Sequence, residues 1–358
     1  MITLEVNGVD YDNFVSATVS IRLDALTNTF SFEAVAPKNE PLPFKGGNPC
    51  KINVDGELAL TGFIEVVSVR YDHESHVVTV SGRDKTGDLL DSTLDALDDI
   101  YGENLTLKLL IERVIKSLNL DIKVIDQANP NPFDGAHDIS APEPGDNAFS
   151  FIEAHARKRQ VLLTSNQNGD IVIAKNSETL GLGSVQHIIG AEDNNVISAD
   201  FTYDTTGRFN LYKLASSLNP IALNFAGDTS TAAIVNQSGV VTDNDIRKGR
   251  QLILVSETSL ASSSCEDRAK WEADIRKSRG LIYSAVVDGF RSGDNLWEIN
   301  RLYQIVDDFV GKEEIMLCNS IDFNWGLDGA TTALGFVGKN AYSLFIEDTG
   351  SRVAENVA

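Results

Sequence analysis

The sequence predicts a mainly β fold with an α+β insert: two antiparallel β-barrels flanking a small α/β domain. Three observations carry that expectation. Short apolar/polar alternations separated by turn residues fill residues 1–83. The period then lengthens to a helical one between about 105 and 159. Short alternating runs return after about 185 and continue to about 337.

Met1 to Val6 alternates, and Asn7-Gly8-Val9-Asp10 is a hairpin turn whose Asn-Gly pair supplies positive φ angles. Phe14 to Leu23 puts Val15, Ala17, Val19, Ile21 and Leu23 on one face, and Thr29 to Ala36 does the same with Phe30, Phe32 and Ala34. Lys51 to Val54, an Asp55-Gly56 turn and Leu58 to Thr61 make a second hairpin. Gly62 to Arg70 and His76 to Ser81 follow, with a turn around residues 71–75. Six or seven such strands describe a barrel or sandwich.

Leu105, Leu109, Ile111, Val114, Ile115 and Leu118 recur at helical spacing, so Thr106 to Leu118 is read as an amphipathic helix capped by Asn104 or Thr106. Pro130, Pro132, Pro142 and Pro144 make Asn129 to Gly145 a loop. Asn147 to Arg159 is a second helix, and Val161 to Ser165, Asn168-Gly169 and Ile171 to Ala174 form a hairpin. Residues 181–184 read as a Gly/Ser linker. Beyond them Asn195 to Tyr203, Phe209 to Leu218, Arg250 to Val255, Leu281 to Phe290, Arg301 to Asp307, Glu314 to Phe323 and Ala330 to Val337 are strand-like. Gly227 to Asn244 reads as a polar loop, and Ser262 to Arg279 as a helix capped by Ser263 or Ser264. Trp297 and Trp325 stand beside turns, where they are expected to cover barrel ends. The division expected is residues 1–95, first barrel; 96–180, α/β domain; 185–348, second barrel with its helix at about 262–279; and 349–358, a flexible tail.

The chain has 358 residues, 42% hydrophobic and 23% charged, which is a folded composition. No run approaches ~18 consecutive apolar residues, so no membrane insertion is expected. The N-terminus lacks the basic start and apolar core of a signal peptide, which sets the expected place of synthesis in a cytoplasm. Cys50, Cys265 and Cys318 are far apart and have no Cys/His ligand spacing around them, so buried free thiols are expected rather than zinc.

Asp and Glu number 52 against 30 Lys and Arg, a formal net charge of −22. Such a chain is expected to repel nucleic acid and anionic lipid rather than bind them. An acidic surface kept for solubility accounts for the same number.

No catalytic, metal or cofactor site stands out. His73 and His76 lie in and beside a hairpin turn with no obvious third ligand, and His137, His155 and His187 stand alone. There is no GxSxG elbow, and Gly46-Gly47 and Gly181-Leu182-Gly183 lack the Lys-Ser/Thr of a phosphate loop. Carboxylates are so abundant that a pair of them carries no diagnosis of glycoside hydrolysis. The chain is therefore expected not to be an enzyme.

The most informative stretch is Val77 to Thr93. A strand ends at Ser81, Gly82 permits a sharp exit, and Asp84, Asp88, Asp91 and Asp95 recur at three- and four-residue steps between Leu89, Leu90, Leu94 and Leu97. A helix here presents one acidic and one apolar face. The acidic face fits either a special surface or an ordinary solvated one.

Val77 to Asp91 resembles the "V-x-G-R-(S/D)-x-T-x-D-L-x-D" signature of Mu-like phage tail hub proteins, the superfamily of baseplate hubs and late control protein D. The residues that carry it are Gly82, Arg83, Asp84, Thr86, Asp88, Leu89 and Asp91. Gly56 to Val67 resembles the family's preceding hairpin. Trp297 and Asn300, followed by Gln304 to Asp308 with Asp307 in the motif position, resemble its late "LW-x-x-N-x-x-x-x-(V/I)-x-D" segment.

The resemblance implies a structural baseplate hub of a contractile tail, a homotrimer in which two tail-tube-like barrels per chain make a pseudo-sixfold ring. It implies as partners the chain itself, a central spike protein, tail tube or tube-initiator proteins, and baseplate wedge and tape measure proteins. DNA is implied as passing cargo, and the virion tail as the location. On that premise Asp84, Asp88, Asp91, Asp95, Asp98 and Asp99 are candidates for an acidic channel lining. The readings from other classes are a tail adhesin or carbohydrate-binding module, which calls for clustered exposed aromatics, and a hub-associated peptidoglycan hydrolase, which calls for a cleft in residues 96–178. Trp271, Trp297 and Trp325 are scattered, against the first.

Overall fold

Alternation along the N-terminal third folds as strands because each run buries one face. The computed structural model describes residues 1–35, 43–73, 76–95, 105–133, 141–159, 161–217, 236–256, 262–327 and 329–343. Strand β1 (Ile2–Val6) buries Ile2, Leu4 and Val6 and turns through Asn7 (φ 53°) and Gly8 (φ 79°) into β2 (Val9–Tyr11). Then follow β3 (Ser16–Arg22), β4 (Thr29–Val35), β5 (Pro49–Val54), β6 (Glu57–Tyr71) and β7 (His76–Asp84). The β5–β6 turn uses Asp55 (φ 48°) and Gly56 (φ 81°), as the Asp-Gly pair predicts. The two strands expected at Leu58–Thr61 and Gly62–Arg70 are one, β6, which continues through Gly62.

The middle of the chain is helical where the period says so. A short helix α1 (Gly87–Asp91) precedes α2 (Leu107–Ser117), which buries Leu107, Leu110, Ile111, Val114 and Ile115. Thr106 caps α2, its Oγ1 accepting from Leu109 N at 3.2 Å; the other candidate cap, Asn104, lies outside the described residues. Strand β8 (Val124–Asp126), helix α3 (Ala148–Lys158), and the hairpin β9 (Leu162–Ser165) and β10 (Ile171–Ala174) complete this part. Its three-stranded sheet has the order β8-β10-β9, with β8 parallel to β10.

The remaining elements are β11 (Leu180–His187), β12 (Val196–Tyr203), β13 (Leu211–Ser217), β14 (Asn236–Thr242), β15 (Gln251–Ser256), α4 (Ser262–Arg279), β16 (Leu281–Asp288), β17 (Arg291–Ser292), β18 (Asn295–Leu296), β19 (Leu302–Asp307), β20 (Lys312–Gly326) and β21 (Gly329–Gly338). Two expectations fail here. The linker at 181–184 is part of β11, parallel to β19, and its glycines serve packing: a Cβ on Gly181 would lie 2.3 Å from the Tyr303 ring. The C-terminal part of the 227–244 loop is β14, while 227–235 lies outside the described residues, as do 134–140 of the proline loop and the 349–358 tail.

The main sheet has thirteen strands in the order β12-β16-β21-β20-β3-β4-β7-β6-β5-β1-β2, with β19 pairing on β20 and β11 on β19. Strands from the two ends of the chain meet where β3 pairs antiparallel with β20, Val19 opposite Phe323 and Ile21 opposite Ile321. The fold is thus mainly β, as expected. Its strands from both halves join in one sheet, and none of the described sheets closes into a barrel.

By packing, the described residues form two compact units: those of 1–201 with 283–339, and those of 202–282 with 340–343. The second holds the sheet β14-β13-β15, β13 antiparallel to β14 and parallel to β15. Helix α4 lays Cys265, Ala269 and Ala273 against Tyr212 and Leu214 of that sheet. The small residues at every fourth position let the helix approach until a Cβ on Gly239 would be 2.1 Å from Glu266 N. Among the described residues no helix is long and apolar enough to cross a membrane.

Candidate functional site

The residues of the first motif occupy the end of β7 and the entry to the α/β part. Gly82 is there because a neighbouring backbone and a ring converge on it: a Cβ would lie 2.0 Å from Phe63 O and 2.7 Å from Phe30 Cζ. Gly62, across on β6, meets Arg83 O in the same way at 1.9 Å. Just beyond Gly82 the β6–β7 register shifts at Ile64/Val66, a bulge that bends the pair.

Arg83 turns outward. Its Nε donates to both oxygens of Glu65, at 2.7 and 2.8 Å, and its Nη2 pairs with Asp91. The paired carboxylates hold the guanidinium charge more firmly than usual, and Arg83 holds the Asp91 carboxyl below its ordinary range. The pair staples α1 back onto the sheet, while Leu89 of that helix is buried on the other side.

Asp84 points the opposite way, into a buried polar node. Its Oδ2 accepts from Asn28 N at 2.8 Å and from the Ser165 hydroxyl; its Oδ1 accepts from Thr86 N at 3.0 Å and the Thr86 hydroxyl at 2.5 Å. Asn28 returns a bond from Nδ2 to Ser165 Oγ at 2.9 Å, and its carbonyl accepts from Asp84 N. One carboxylate thus ties the end of β7, the β3–β4 loop and β9 of the α/β sheet. Burial raises the Asp84 pKa against the pull of these four donors.

This placement corrects one expectation: Asp84, 2% exposed, presents no charge to a surface, because β7 continues through it and turns its side chain inward. Helix α1 ends at Asp91, so no single helix carries the Asp84–Asp95 series. Asp88, Asp91 and Asp95 are exposed, and Asp98 and Asp99 lie outside the described residues.

The second motif forms another joint. Asn300, at φ 56°, accepts from Ser177 N at 3.0 Å and donates from Nδ2 to Lys175 O at 2.9 Å, just beyond the end of β10. Trp297 is buried, its ring 5.0 Å from that of Tyr303, whose hydroxyl accepts from Glu298 N. Asp307 closes the β19–β20 turn: Oδ1 accepts from Phe309 N at 2.9 Å and Val310 N at 3.2 Å, while Oδ2 accepts from Tyr283 Oη at 2.8 Å and His187 Nδ1 at 3.0 Å. Burial alone would raise the Asp307 carboxyl, but these donors outweigh it and lower its pKa.

The two motifs, some 200 residues apart in sequence, therefore share a task. Asp84 and Arg83 hold the entry and the β9 edge of the α/β part, and Asn300 holds its exit. The partners Asn28, Ser165, His187 and Tyr283 were not singled out from the sequence, since nothing local marks a polar residue that answers a distant carboxylate. The same holds for Arg208 in the second unit, fully buried with Asp243 at 2.7 Å, Asp245 at 3.2 Å and the Tyr203 hydroxyl. The three cysteines are buried free thiols, with burial pushing Cys50 up to about 12. His76 stacks on Tyr71 at 6.2 Å in the β6–β7 hairpin.

Known proteins match this arrangement along its length. Residues 1–84 match the model of the Mu phage baseplate assembly protein GpP-like N-terminal domain. Residues 86–175 match that of the baseplate hub protein gp44-like second domain, and residues 261–344 that of the GpP fourth domain. The baseplate hub protein gp44 of Escherichia phage Mu is 23% identical over 312 residues, 85% of this chain and 78% of its own length. The 43 kDa tail protein of prophage MuSo2 from Shewanella oneidensis superposes with a TM-score of 0.77 at 27% identity, covering 96% of this chain and 99% of its own. A fold likeness alone extends to an Escherichia coli type VI secretion component, itself described as similar to the phage T4 tail proteins gp27 and gp5. That pair has a TM-score of 0.53 at 9% identity, with 96% and 78% of the two chains covered.

Proposed function

This chain is a Mu-like baseplate hub protein, a structural component of a phage tail, and on that premise we propose that it works as a homotrimer. In that assembly each chain presents two tube-like β regions, so that three chains offer six similar edges to a sixfold tail tube and a threefold face to the central spike. A symmetry mismatch between tube and spike is then absorbed within one chain, and closed point symmetry requires no further adaptor. The ring encloses the passage for DNA, which slides past without being bound.

The observation that supports the reading most is the β3–β20 pairing. It draws strands from both ends of a 358-residue chain into one sheet, and the hub motifs sit where that sheet grips the α/β part. A rigid, continuous sheet is what a load-transmitting ring subunit needs, and loosely linked domains would not supply it. The exposed carboxylates Asp88, Asp91 and Asp95 belong to the proposed channel wall. The chain performs no catalysis of its own in this role, assembles in the host cytoplasm, and meets wedge and tape measure proteins besides spike and tube. Electron microscopy of the hub assembled with spike and tube proteins tests this directly. A threefold ring with an open axis is expected; a particle with no axial opening sinks the proposal.

A further inference from the structure

Charge is not spread evenly along the chain. Residues 202–282 hold ten Lys and Arg against nine Asp and Glu, a net of +1, which leaves 20 basic and 43 acidic residues, −23, in the rest. Copies of a chain with a formal −22 repel one another unless the contact sets opposite charges face to face. This segment is the part of the sequence whose charge balance permits that.

Within it, helix α4 covers the Tyr212/Leu214 face of the β14-β13-β15 sheet. Among the described residues the opposite face is exposed at its centre. Lys213 lies there between Val240 and Ile253, its direct cross-strand partners on β14 and β15, and all three are exposed. Arg247 and Lys248 are exposed on the loop joining β14 to β15. The face is an apolar strip with Lys213 at its centre and Arg247 and Lys248 on the adjoining loop, where the charge of Asp245 is already met by Arg208 and Lys277.

The acidic unit carries a complementary knob. The β19–β20 turn exposes Phe309 to 79%, and the turn after β11 exposes Ile189 to 75%. The backbones that present these two side chains are held. Asp307 pins the Phe309 and Val310 amides, Asp308 N donates to His187 O, and Ala191 N closes the Ile188–Ala191 turn on Ile188 O. Parallel pairing of β11 with β19, His187 opposite Asp307, brings both loops to the same end of the ladder. Asp308, Glu313, Glu192 and Asp193, all exposed, flank the two turns along the chain, while the half-buried Lys312 beside them pairs with Glu314. Preorganised aromatic anchors within a charged rim are the usual make-up of an interface centre.

We infer that the Phe309/Ile189 knob of one copy docks on the Val240–Lys213–Ile253 face of a second copy. The contact is heterologous, joining different surfaces of the two chains, and it closes a threefold ring when the rotation between successive copies is a third of a turn. The inference rests on the homotrimeric reading above and assigns that ring its surfaces.

The test uses the full chain. Native mass spectrometry over a concentration series follows trimer and monomer for the wild type, for Phe309→Asp, and for two charge reversals. One reversal is Asp308→Lys with Glu313→Lys; the other is Lys213→Glu with Arg247→Glu; a further chain carries all four. Phe309→Asp and each reversal are expected to weaken assembly at least tenfold, and the fourfold variant to return to within about threefold of the wild type. Circular dichroism melts check that each variant is folded; if one is not, Ile189→Asp and Val240→Asp probe the same two surfaces. Trimers unchanged in Phe309→Asp and both reversals overturn the inference and leave the trimeric hub standing. A fourfold variant no better than its parents overturns it also. Where the wild type alone is monomeric the series is run with its spike protein present, and a wild type that stays monomeric there removes the trimer itself, and the inference with it.

Discussion

Replacing Asp84 by Ala should unfasten the α/β part from the main sheet. The substitution takes away a carboxylate that receives two backbone amides, Asn28 N at 2.8 Å and Thr86 N at 3.0 Å, and two hydroxyls, Thr86 and Ser165. Ser165 Oγ keeps only the bond it accepts from Asn28 Nδ2, while the Thr86 hydroxyl can turn elsewhere, to Leu26 O at 3.1 Å. The amides cannot, and a buried donor left without an acceptor costs roughly 1–3 kcal/mol. Two such donors lose about 2–6 kcal/mol. Part of that is offset because the ionised carboxylate no longer has to be held in a buried site, so a net loss of about 3 kcal/mol is expected. Urea unfolding followed by circular dichroism and tryptophan fluorescence reads it, with Asp95→Ala as the exposed control at within about 0.5 kcal/mol of wild type. Hydrogen exchange locates it, with faster exchange expected in β9 and at Asn28 first. If Asp84→Ala unfolds with the control, the node is not a fastening and the reasoning is wrong.

Gly82→Ala has no room for its methyl between Phe63 O and the Phe30 ring, and should cost about 3 kcal/mol or more in the same unfolding experiment. Asp307, with its pKa lowered in the folded state, stabilises the chain above the unfolded carboxylate pKa of about 3.9, and that contribution is lost as the pH falls through the lower folded value. Asp307→Asn should therefore be less stable than wild type at pH 7, with the gap narrowing below about pH 4 in a melting series. Asp84, raised by burial, has the opposite sign: its titration favours the fold at low pH and ceases to do so as the pH rises through its folded value, so the acid limb of Asp84→Ala should be steeper than that of the wild type. Arg208→Ala leaves Asp243 without its buried partner and should destabilise residues 202–282 by about 3–5 kcal/mol, seen as a lowered melting transition and faster exchange in β13.

Much of the fold was legible because its signals are local. Asn7-Gly8 and Asp55-Gly56 announce their turns by the φ angles they tolerate, and Ile2, Leu4 and Val6 announce a buried face by spacing. Helix α4 was legible end to end from Ser262 to Arg279. Where reading failed, the cause was a partner far along the chain. Gly181 and Gly183 look like a linker, yet they let β11 lie against Tyr303 and Ser292. Gly62 looks like a strand break, yet it lets β6 cross Arg83. The segment Asn236–Thr242 has no strand period, and becomes β14 because Gly239 admits α4. The hub motifs were found by resemblance, but their work as a clamp was not. Asp84 read as one of a row of surface carboxylates until the fold turned it inward onto Asn28 and Ser165.

The central claim, a threefold hub, is tested most directly by the native mass of the purified chain, alone and then with its spike protein. With 38.9 kDa per chain, the account predicts three chains, 116.7 kDa in all, without the spike or on its addition. A chain that stays at 38.9 kDa in the presence of the spike contradicts it.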